Sequence, residues 1–294
     1  WQVITLSEFI KSRLNGAEHT SYVVVLTIDD GYDDFYEAAF PLLKRYKLPA
    51  TIFVTVNFVD GGWIWLDRIK FTLSRTKHRT CNFVFEGTTF GLDSKAVGKE
   101  ALEEKLIEYC MKLDNRKKLK LIAKLERDLE VGLPPSPPKE FRAITWEQLS
   151  ELGNEGIEIG SHTLTHPILS RMREEELRDE FIGSKSRIEE KLGSDVASFC
   201  YPNGMPGDFN EEVCKGIKEA GYAGAVVAYS AIHENFDPYK IPRTGISDDR
   251  ADFLWKLCGM ETAVLKLKTF LHLKKHDGPA AAQANKIMAR SLES

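Results

Sequence analysis

Two adjacent carboxylates stand at the end of an apolar run near the start of the chain. The stretch T-I-D-D-G-Y-D-D, residues 27–34, directly follows V-V-V-L. Asp is an ordinary turn residue and helix N-cap, so a single aspartate would need no further explanation. Two neighbouring carboxylates repel each other and lose hydration, so they persist most readily where a metal or a catalytic task stabilises them. Asp29 and Asp30 are therefore candidates for chemistry, whereas Asp33 and Asp34 are predicted to cap the following helix.

Two histidines in the stretch G-S-H-T-L-T-H-P, residues 160–167, form the second candidate group. His162 and His166 have the i, i+4 spacing that brings two imidazoles to one metal on a helix. Pro167 disfavours the α conformation for the residue before it, so we predict that the pair lies on a turn. Two imidazoles and one carboxylate form a three-ligand site with a position open for water, as in zinc hydrolases. One aspartate of the pair would then bind the metal and the other would act as general base.

Composition bounds the possible functions. The chain has 294 residues, 43% of them hydrophobic and 29% charged, which is enough to bury one large domain or two small ones. The net charge of -4, from 40 basic and 44 acidic residues, gives no indication of a nucleic-acid partner. No run approaches the 18 apolar residues or so of a transmembrane segment, and nothing in the sequence specifies an oligomeric state.

The number and spacing of the cysteines indicate the cellular compartment. Five scattered cysteines without C-x-x-C spacing fit neither a disulfide framework nor a thiolate zinc site. They favour a reducing, cytoplasmic compartment. The chain does not begin with Met, so a targeting signal outside it, and with it a cell-envelope location, stays open.

Predicted strands and helices alternate along the chain. Strands are predicted at 23–28, 50–56, 157–160, 197–200, 223–227 and 241–246. Helices are predicted at 35–43, after Thr145 as N-cap, at 170–192 and at 208–220, with Pro41 kinking or shortening the first. This order with short connections is typical of a parallel sheet. The predicted fold class is α/β, a (β/α) barrel of parallel strands, incomplete if a strand is missing, with a helical insertion.

Domain organisation follows from composition shifts. We predict one catalytic domain over 1–294, in which the charged amphipathic stretches of 60–138 form a helical insertion that closes with G-L-P-P-S-P-P. A C-terminal helix is predicted over 249–276, with an apolar stripe and lysines opposite. We expect it to pack on the barrel, although association with a membrane surface stays open. Residues 277–294 are predicted to be a flexible tail.

The carboxyl ends of parallel strands share one rim, so the residues that follow the predicted strands should converge. These residues have side chains suited to chemistry: Asp29, Asp30, His162, His166, Tyr201, Asn203 and Arg243.

Three stretches, in this order, resemble the polysaccharide deacetylase family, also called carbohydrate esterase family 4. They are T-I-D-D-G at 27–31, G-S-H-T-L-T-H-P at 160–167 and F-C-Y-P-N-G at 199–204. The resemblance covers residues 20–250 apart from the insertion. It implies a distorted barrel and a divalent metal, usually Zn²⁺, for hydrolysis of the N-acetyl group of an N-acetylated sugar.

The resemblance also implies roles for individual residues. Asp29 would be the general base, and Asp30, His162 and His166 would be the metal ligands. A backbone N–H placed by the motif at Asn203 would stabilise the tetrahedral oxyanion together with the metal.

The chain departs from the family pattern in two places. Many members have an arginine that orients the base, where this chain has Cys200; Arg243 in I-P-R-T-G is the candidate replacement, and a surface ion pair is the alternative. Many members also have a late L-x-H whose histidine protonates the leaving amine. His272 lies in a lysine-rich helical pattern and His233 is a weak substitute, so the general acid stays unassigned.

Two aromatic residues are candidates for substrate binding. Tyr201 follows the strand that ends at Cys200, and Trp65 lies in W-I-W-L-D-R at 63–68. Trp65 would stack on a sugar ring as part of a lid. The alternative is that the tryptophans of this stretch anchor the insertion to the barrel.

Three functions are compatible with these residues. The first is removal of N-acetyl groups from N-acetylhexosamine units of a cell-surface polysaccharide or its lipid-linked precursor. The second is hydrolysis of a small-molecule amide on the same fold. The third is carbohydrate binding with weak or lost catalysis, which the missing L-x-H favours. The intact aspartate pair favours an enzyme, because binding alone would not need Asp29.

Overall fold

The structure is a computed structural model that describes residues 1–16, 22–92, 97–231, 236–260 and 263–264. His233, His272 and the tail predicted at 277–294 lie outside the described residues.

Contacts divide the chain into two compact units. The first comprises Trp1–Val227 and Asp237–Ile241, and the second comprises Ala228–Phe236 and Pro242–Ser294. The organisation of 1–294 as one catalytic domain stays a prediction.

The described strands are β1 (Gln2–Ile4), β2 (Val23–Val25), β3 (Thr27–Ile28), β4 (Ala50–Val54), β5 (Cys81–Phe85), β6 (Thr88–Leu92), β7 (Ile157–Ser161), β8 (Ser198–Cys200) and β9 (Gly224–Val226). The helices are α1 (Leu6–Leu14), α2 (Phe40–Tyr46), α3 (Val56–Val59), α4 (Trp65–Arg75), α5 (Val97–Lys112), α6 (Asn115–Asp128), α7 (Trp146–Asn154), α8 (Glu174–Arg178), α9 (Ser184–Leu192), α10 (Glu211–Glu219) and α11 (Arg250–Leu257).

A curled parallel sheet forms the centre of the first unit. Its strands lie in the order β3-β4-β7-β8-β9, and β1 and β2 form a separate parallel pair. The predicted strand 23–28 is divided at Leu26, whose carbonyl accepts a hydrogen bond from the Thr51 N–H at 2.9 Å. All five residues of β4 are buried, as expected for a central strand covered on both faces. The predicted α/β fold with an incomplete barrel is confirmed.

One predicted strand, 241–246, is wrong. Only Ile241 pairs with the sheet, through an isolated parallel bridge to Val226. The next residue is Pro242, which has no N–H for a ladder and a fixed φ, so the strand does not propagate.

Two predicted helices contain π-helical turns. A π segment over Phe35–Ala39 precedes α2, and Pro41 lies in the first turn of α2, where its missing N–H costs no hydrogen bond. The helix predicted at 170–192 is instead α8, a π segment over Asp179–Gly183, and α9. Such π turns occur frequently at functional sites.

Helix N-caps formed by side chains close in sequence are present in both units. Thr145 caps α7 as predicted, because its side chain accepts from the Gln148 N–H while the Gln148 side chain accepts from the Thr145 N–H. In the second unit, Asp249 caps α11 by accepting from the N–H groups of Ala251 and Asp252.

Among the described residues, no helix is both long and apolar enough to cross a membrane.

Residues 60–138 contain α4, α5 and α6, and also a hairpin of β5 and β6 that the sequence pattern did not predict. These elements share a hydrophobic core of their own, built from Trp65, Ile69, Leu73, Phe83, Phe90, Leu92, Leu102, Leu106, Cys110, Leu121, Ile122, Leu125 and Leu129. The predicted segment therefore packs around an apolar centre separate from the parallel sheet.

Candidate metal centre and active site

The loops that follow the parallel strands meet at one rim of the sheet. Asp30 follows β3 and His162 follows β7, on either side of β4. The Thr55 N–H, just after β4, donates to the Asp30 carbonyl at 3.1 Å, and the His162 N–H donates to the Val54 carbonyl at 2.9 Å. The Thr55 hydroxyl also donates to the His162 carbonyl at 3.3 Å. Thr55 thus joins the two loops that carry the candidate ligands.

These loops have an unusual backbone. Positive φ angles occur at Asp30 (71°), Thr163 (73°), His166 (55°) and Asn203 (60°). Such conformations cost on the order of 1–3 kcal/mol each in residues other than glycine, and they persist where the surrounding structure fixes them, often at functional sites. The sequence motifs and the strained backbone therefore mark the same residues.

Three candidate ligand atoms converge. Asp30 Oδ1 lies 3.3 Å from His162 Nε2 and 3.2 Å from His166 Nε2. Two ligands held about 2.0–2.1 Å from one cation at a tetrahedral angle are about 3.3–3.4 Å apart. Both imidazoles are buried, and Asp30 Oδ1 is a buried oxygen without a hydrogen-bond partner among the described residues. The spacing and the orphaned oxygen fit a divalent cation.

The contacts of the two histidines with their surroundings differ. His162 Nδ1 lies 2.8 Å from the Cys200 carbonyl oxygen. A carbonyl only accepts, so Nδ1 carries a hydrogen, which leaves Nε2 as the nitrogen that would bind a metal beside Asp30, the usual arrangement for a metal-binding histidine. His166 Nδ1 is buried and has no hydrogen-bond partner in the described part of the chain, while its backbone N–H donates to Thr163 Oγ1 at 2.9 Å. The orientation of His166 therefore depends on its backbone.

Burial and neighbouring charges shift the pKa values of all three candidate ligands. Burial alone would raise the pKa of Asp30, but the contacts with His162 and His166 outweigh it and hold the pKa well below its usual range. Burial lowers the pKa of His166, which favours the neutral imidazole. Burial would also lower the pKa of His162, but Cys200, Asp30 and Asp29 raise it well above its usual value. A cation at this site would compete with a proton on His162.

Asp29 lies in the same site. A carboxylate oxygen of Asp29 lies within 4.8 Å of a ring nitrogen of His162 and of Cys200 Sγ. Asp29 and Asp30 therefore both adjoin His162, as the rim argument predicted. The role of Asp29 as general base stays a prediction.

Asn203 presents donors that could bind a ligand. It lies in a tight turn in which the Gly204 N–H donates to the Pro202 carbonyl at 2.7 Å. Its own N–H has no acceptor among the described residues, and its Nδ2 is buried without a partner. An N–H in this state suits the predicted oxyanion role, which stays a prediction.

The structure corrects both candidate substrate contacts. The Tyr201 side chain is 1% exposed, stacks on Phe209 with centroids 4.2 Å apart, and donates to the Tyr239 carbonyl at 2.8 Å. Trp65 is 3% exposed in the core of the insertion, with Lys118 Nζ 4.6 Å from its ring centroid. Neither side chain has a free face for a sugar, and Trp65 packs in the insertion's own core instead of stacking in a lid.

Asp33 and Asp34 do not cap the following helix by hydrogen bonds. The Asp33 carboxylate is buried and accepts from the Arg142 guanidinium and from Gln148 Nε2. Asp34 occupies the N-cap position of the π segment but makes no capping bond. The reason is that the chain returning from the insertion pairs with this loop, where the Asp33 N–H donates to the Arg142 carbonyl at 3.0 Å.

Arg243 lies in the second unit. Its N–H donates to the Tyr229 carbonyl at 3.2 Å, and its carbonyl accepts from the Ser230 hydroxyl. Its role in orienting the base stays a prediction.

Three residues with contacts in the site loops or beside them were not predicted from the sequence. Asp67 of α4 is buried and accepts from the Tyr32 hydroxyl at 2.6 Å, next to the aspartate pair. Asp67 was hidden in an amphipathic pattern that looked solvated. Thr55 gave no signal beyond its place after a strand. Glu180 gave a signal, because it is a charged residue three positions after Leu177, on the predicted apolar face of the helix.

Comparison with known proteins finds a matching family model and several related proteins. A family model described as Polysaccharide deacetylase matches residues 16–82 and 86–225. YxkH of Bacillus subtilis (strain 168) is 21% identical over 248 residues, which cover 84% of this chain and 60% of that protein. The poly-beta-1,6-N-acetyl-D-glucosamine N-deacetylase of Staphylococcus aureus (strain MSSA476) is 29% identical over 122 residues, 41% of this chain and 42% of that protein. The chain thus spans less than two thirds of these relatives.

Solved structures show the same fold. The BpsB deacetylase domain from Bordetella bronchiseptica aligns with a TM-score of 0.52 at 17% identity, over 83% of this chain and 78% of that one. IcaB from Ammonifex degensii aligns with a TM-score of 0.52 at 16% identity, over 84% and 77% of the two chains.

Proposed function

The chain belongs to the polysaccharide deacetylase family, and on this premise we propose that it is a metal-dependent hydrolase that removes N-acetyl groups from N-acetylhexosamine units of a cell-surface polysaccharide or its lipid-linked precursor. The observation that carries the proposal is the convergence of Asp30, His162 and His166 at spacings suited to one cation. The S. aureus relative, named for poly-beta-1,6-N-acetyl-D-glucosamine, suggests that polymer as a first substrate. A cytoplasmic location and association with a membrane surface stay predictions.

Asp30, His162 and His166 would hold the metal, for which Zn²⁺ is our first choice because one carboxylate and two imidazoles are common ligands of catalytic zinc. A divalent cation there supplies a Lewis acid that polarises the amide carbonyl and lowers the pKa of water. Thr55 and the Cys200 carbonyl keep the ligand side chains in place.

The protein residues supply the proton transfer and the oxyanion contact. The Asp29 carboxylate would accept a proton from the water that attacks the acetyl carbon. The Asn203 N–H would donate to the developing oxyanion. The C–N bond would then break as the leaving nitrogen takes up one proton, which balances the proton that Asp29 accepted, and the products are acetate and the free amine of the sugar.

An acetate-release assay tests this function. Zinc-loaded protein is incubated with oligomers of β-1,6-linked N-acetylglucosamine and of chitin. We compare it with Asp29→Asn and with Asp34→Asn, a matched change at an exposed carboxylate of the same loop. We expect release from wild type and from Asp34→Asn, and a loss of about 10²–10⁴-fold in Asp29→Asn with zinc binding retained.

The other outcomes separate the alternatives. Release confined to small amides would support the small-molecule hydrolase. Zinc and oligosaccharide binding without any acetate release would refute the deacetylase and support a binding protein. Failure of wild type to bind zinc would refute metal dependence.

A further inference from the structure

A buried carboxylate lies behind the loop that joins the two histidines. Glu180 is 4% exposed and belongs to the π segment Asp179–Gly183. Its Oε2 accepts from the Leu164 N–H at 2.8 Å and from the Thr165 N–H at 3.0 Å, and its Oε1 accepts from the Thr165 hydroxyl. All three donors lie between His162 and His166.

The other face of the same loop is held by the start of α3. The Val56 N–H donates to the Thr163 carbonyl at 3.1 Å, and the Asn57 N–H donates to the Leu164 carbonyl at 2.9 Å. The carbonyls of the loop are thus paired with backbone donors. Its N–H groups at 164 and 165 depend on the Glu180 side chain alone among the described residues.

This loop needs such support. Thr163 and His166 both have positive φ, which residues other than glycine adopt only where the surroundings enforce it. The loop also approaches the π segment closely, because a Cβ added at Gly183 would lie 2.9 Å from Leu164 Cδ1. Glu180 therefore binds the two residues that lie between the positive φ angles of Thr163 and His166.

We propose that Glu180 is a positioning residue for the metal centre. Its carboxylate fixes residues 163–165 in the conformation that directs His162 and His166 towards Asp30. The inference rests on the proposed metal-dependent function. An ionised acceptor is suited to this task, because charge-assisted hydrogen bonds to N–H groups are roughly twice as strong as neutral ones.

Zinc affinity, measured without any substrate, is the test. Chelator-treated wild type, Glu180→Ala, Glu180→Gln and Thr165→Val are titrated with Zn²⁺ by calorimetry, and unfolding is followed in parallel. We expect Glu180→Ala to weaken the zinc Kd by about 10–100-fold, the usual effect of removing an outer partner of a metal site. Glu180→Gln and Thr165→Val keep part of the hydrogen bonding, so they should weaken binding less and keep the fold. Acetate release should recover at saturating zinc.

Glu158→Gln is the matched control. Glu158 lies in β7 and also accepts from a backbone N–H and hydroxyls, those of Ser7, Thr51 and Ser198, but from none in the ligand loop. Its substitution should lower the melting temperature and leave the zinc Kd unchanged.

The results separate this inference from the proposed function. Unchanged zinc Kd in folded Glu180→Gln and Thr165→Val, with only the melting temperature lowered, would overturn the positioning role while the function stands. Absence of zinc binding by wild type would overturn both.

Discussion

Replacing Asp67 by Asn should change how stability depends on pH. Burial raises the pKa of the Asp67 carboxyl from 3.8 to about 6, although the hydrogen bond from Tyr32 acts in the opposite direction. The folded protein therefore holds this proton more tightly than the unfolded chain. Ionisation of Asp67 lowers the stability of the wild type progressively as the pH rises from about 4 to above 6. Asn has no proton to lose, and its amide oxygen can still accept from Tyr32.

The size of this pH effect follows from the difference between the folded and unfolded pKa values of Asp67. With pKa values of 3.8 unfolded and about 6 folded, the destabilisation is roughly 1 kcal/mol at pH 4.5 and roughly 3 kcal/mol at pH 7.5. The free energy of unfolding of Asp67→Asn should thus rise by about 2 kcal/mol relative to wild type between these pH values. For a chain of 294 residues, that corresponds to about 3 °C in melting temperature.

The assay is urea unfolding of both proteins at pH 4.5 and 7.5, followed by circular dichroism. Asp34→Asn serves as the control, because Asp34 is an exposed carboxylate of the neighbouring loop. A stability difference between Asp67→Asn and wild type that is the same at both pH values would show that burial does not perturb Asp67, and the reasoning would be refuted.

Two further predictions concern the site and the strand that supports it. Excess Zn²⁺ at about 100 times its Kd should stabilise wild type by about 2.7 kcal/mol in a thermal-shift measurement, and His166→Ala should show no such shift. Gly160→Ala should lose about 1–3 kcal/mol in urea unfolding, because the new Cβ would lie 2.5 Å from Phe53 Cδ1 and 2.7 Å from Ser198 Oγ. Gly153→Ala, with nothing within 4 Å in an exposed turn of α7, should be neutral or stabilising, and an equal loss there would contradict the packing explanation.

Local patterns predicted much of the fold, because each depends on residues close in sequence. Apolar runs located the central strands, and Thr145 located the start of α7. One failure came where a distant segment decides the outcome. Asp33 was predicted to cap a helix, but its carboxylate accepts a hydrogen bond from Arg142, which follows the insertion in the sequence. A second failure has a local cause, because the predicted strand 241–246 stops where Pro242 cannot extend the ladder.

The sequence by itself determined which residues lie at the rim formed by the carboxyl ends of the strands. Asp30, His162 and His166 follow parallel strands, and strand direction alone brings them to one edge of the sheet. Only the tertiary structure decided how they are held, because Thr55 contacts a residue 107 positions away and Glu180 contacts one 16 positions away. It also decided that Tyr201 and Trp65 are buried, since burial depends on what packs from elsewhere in the fold. Residue type and strand order specify which side chains can meet, and three-dimensional packing specifies which of them remain available for chemistry.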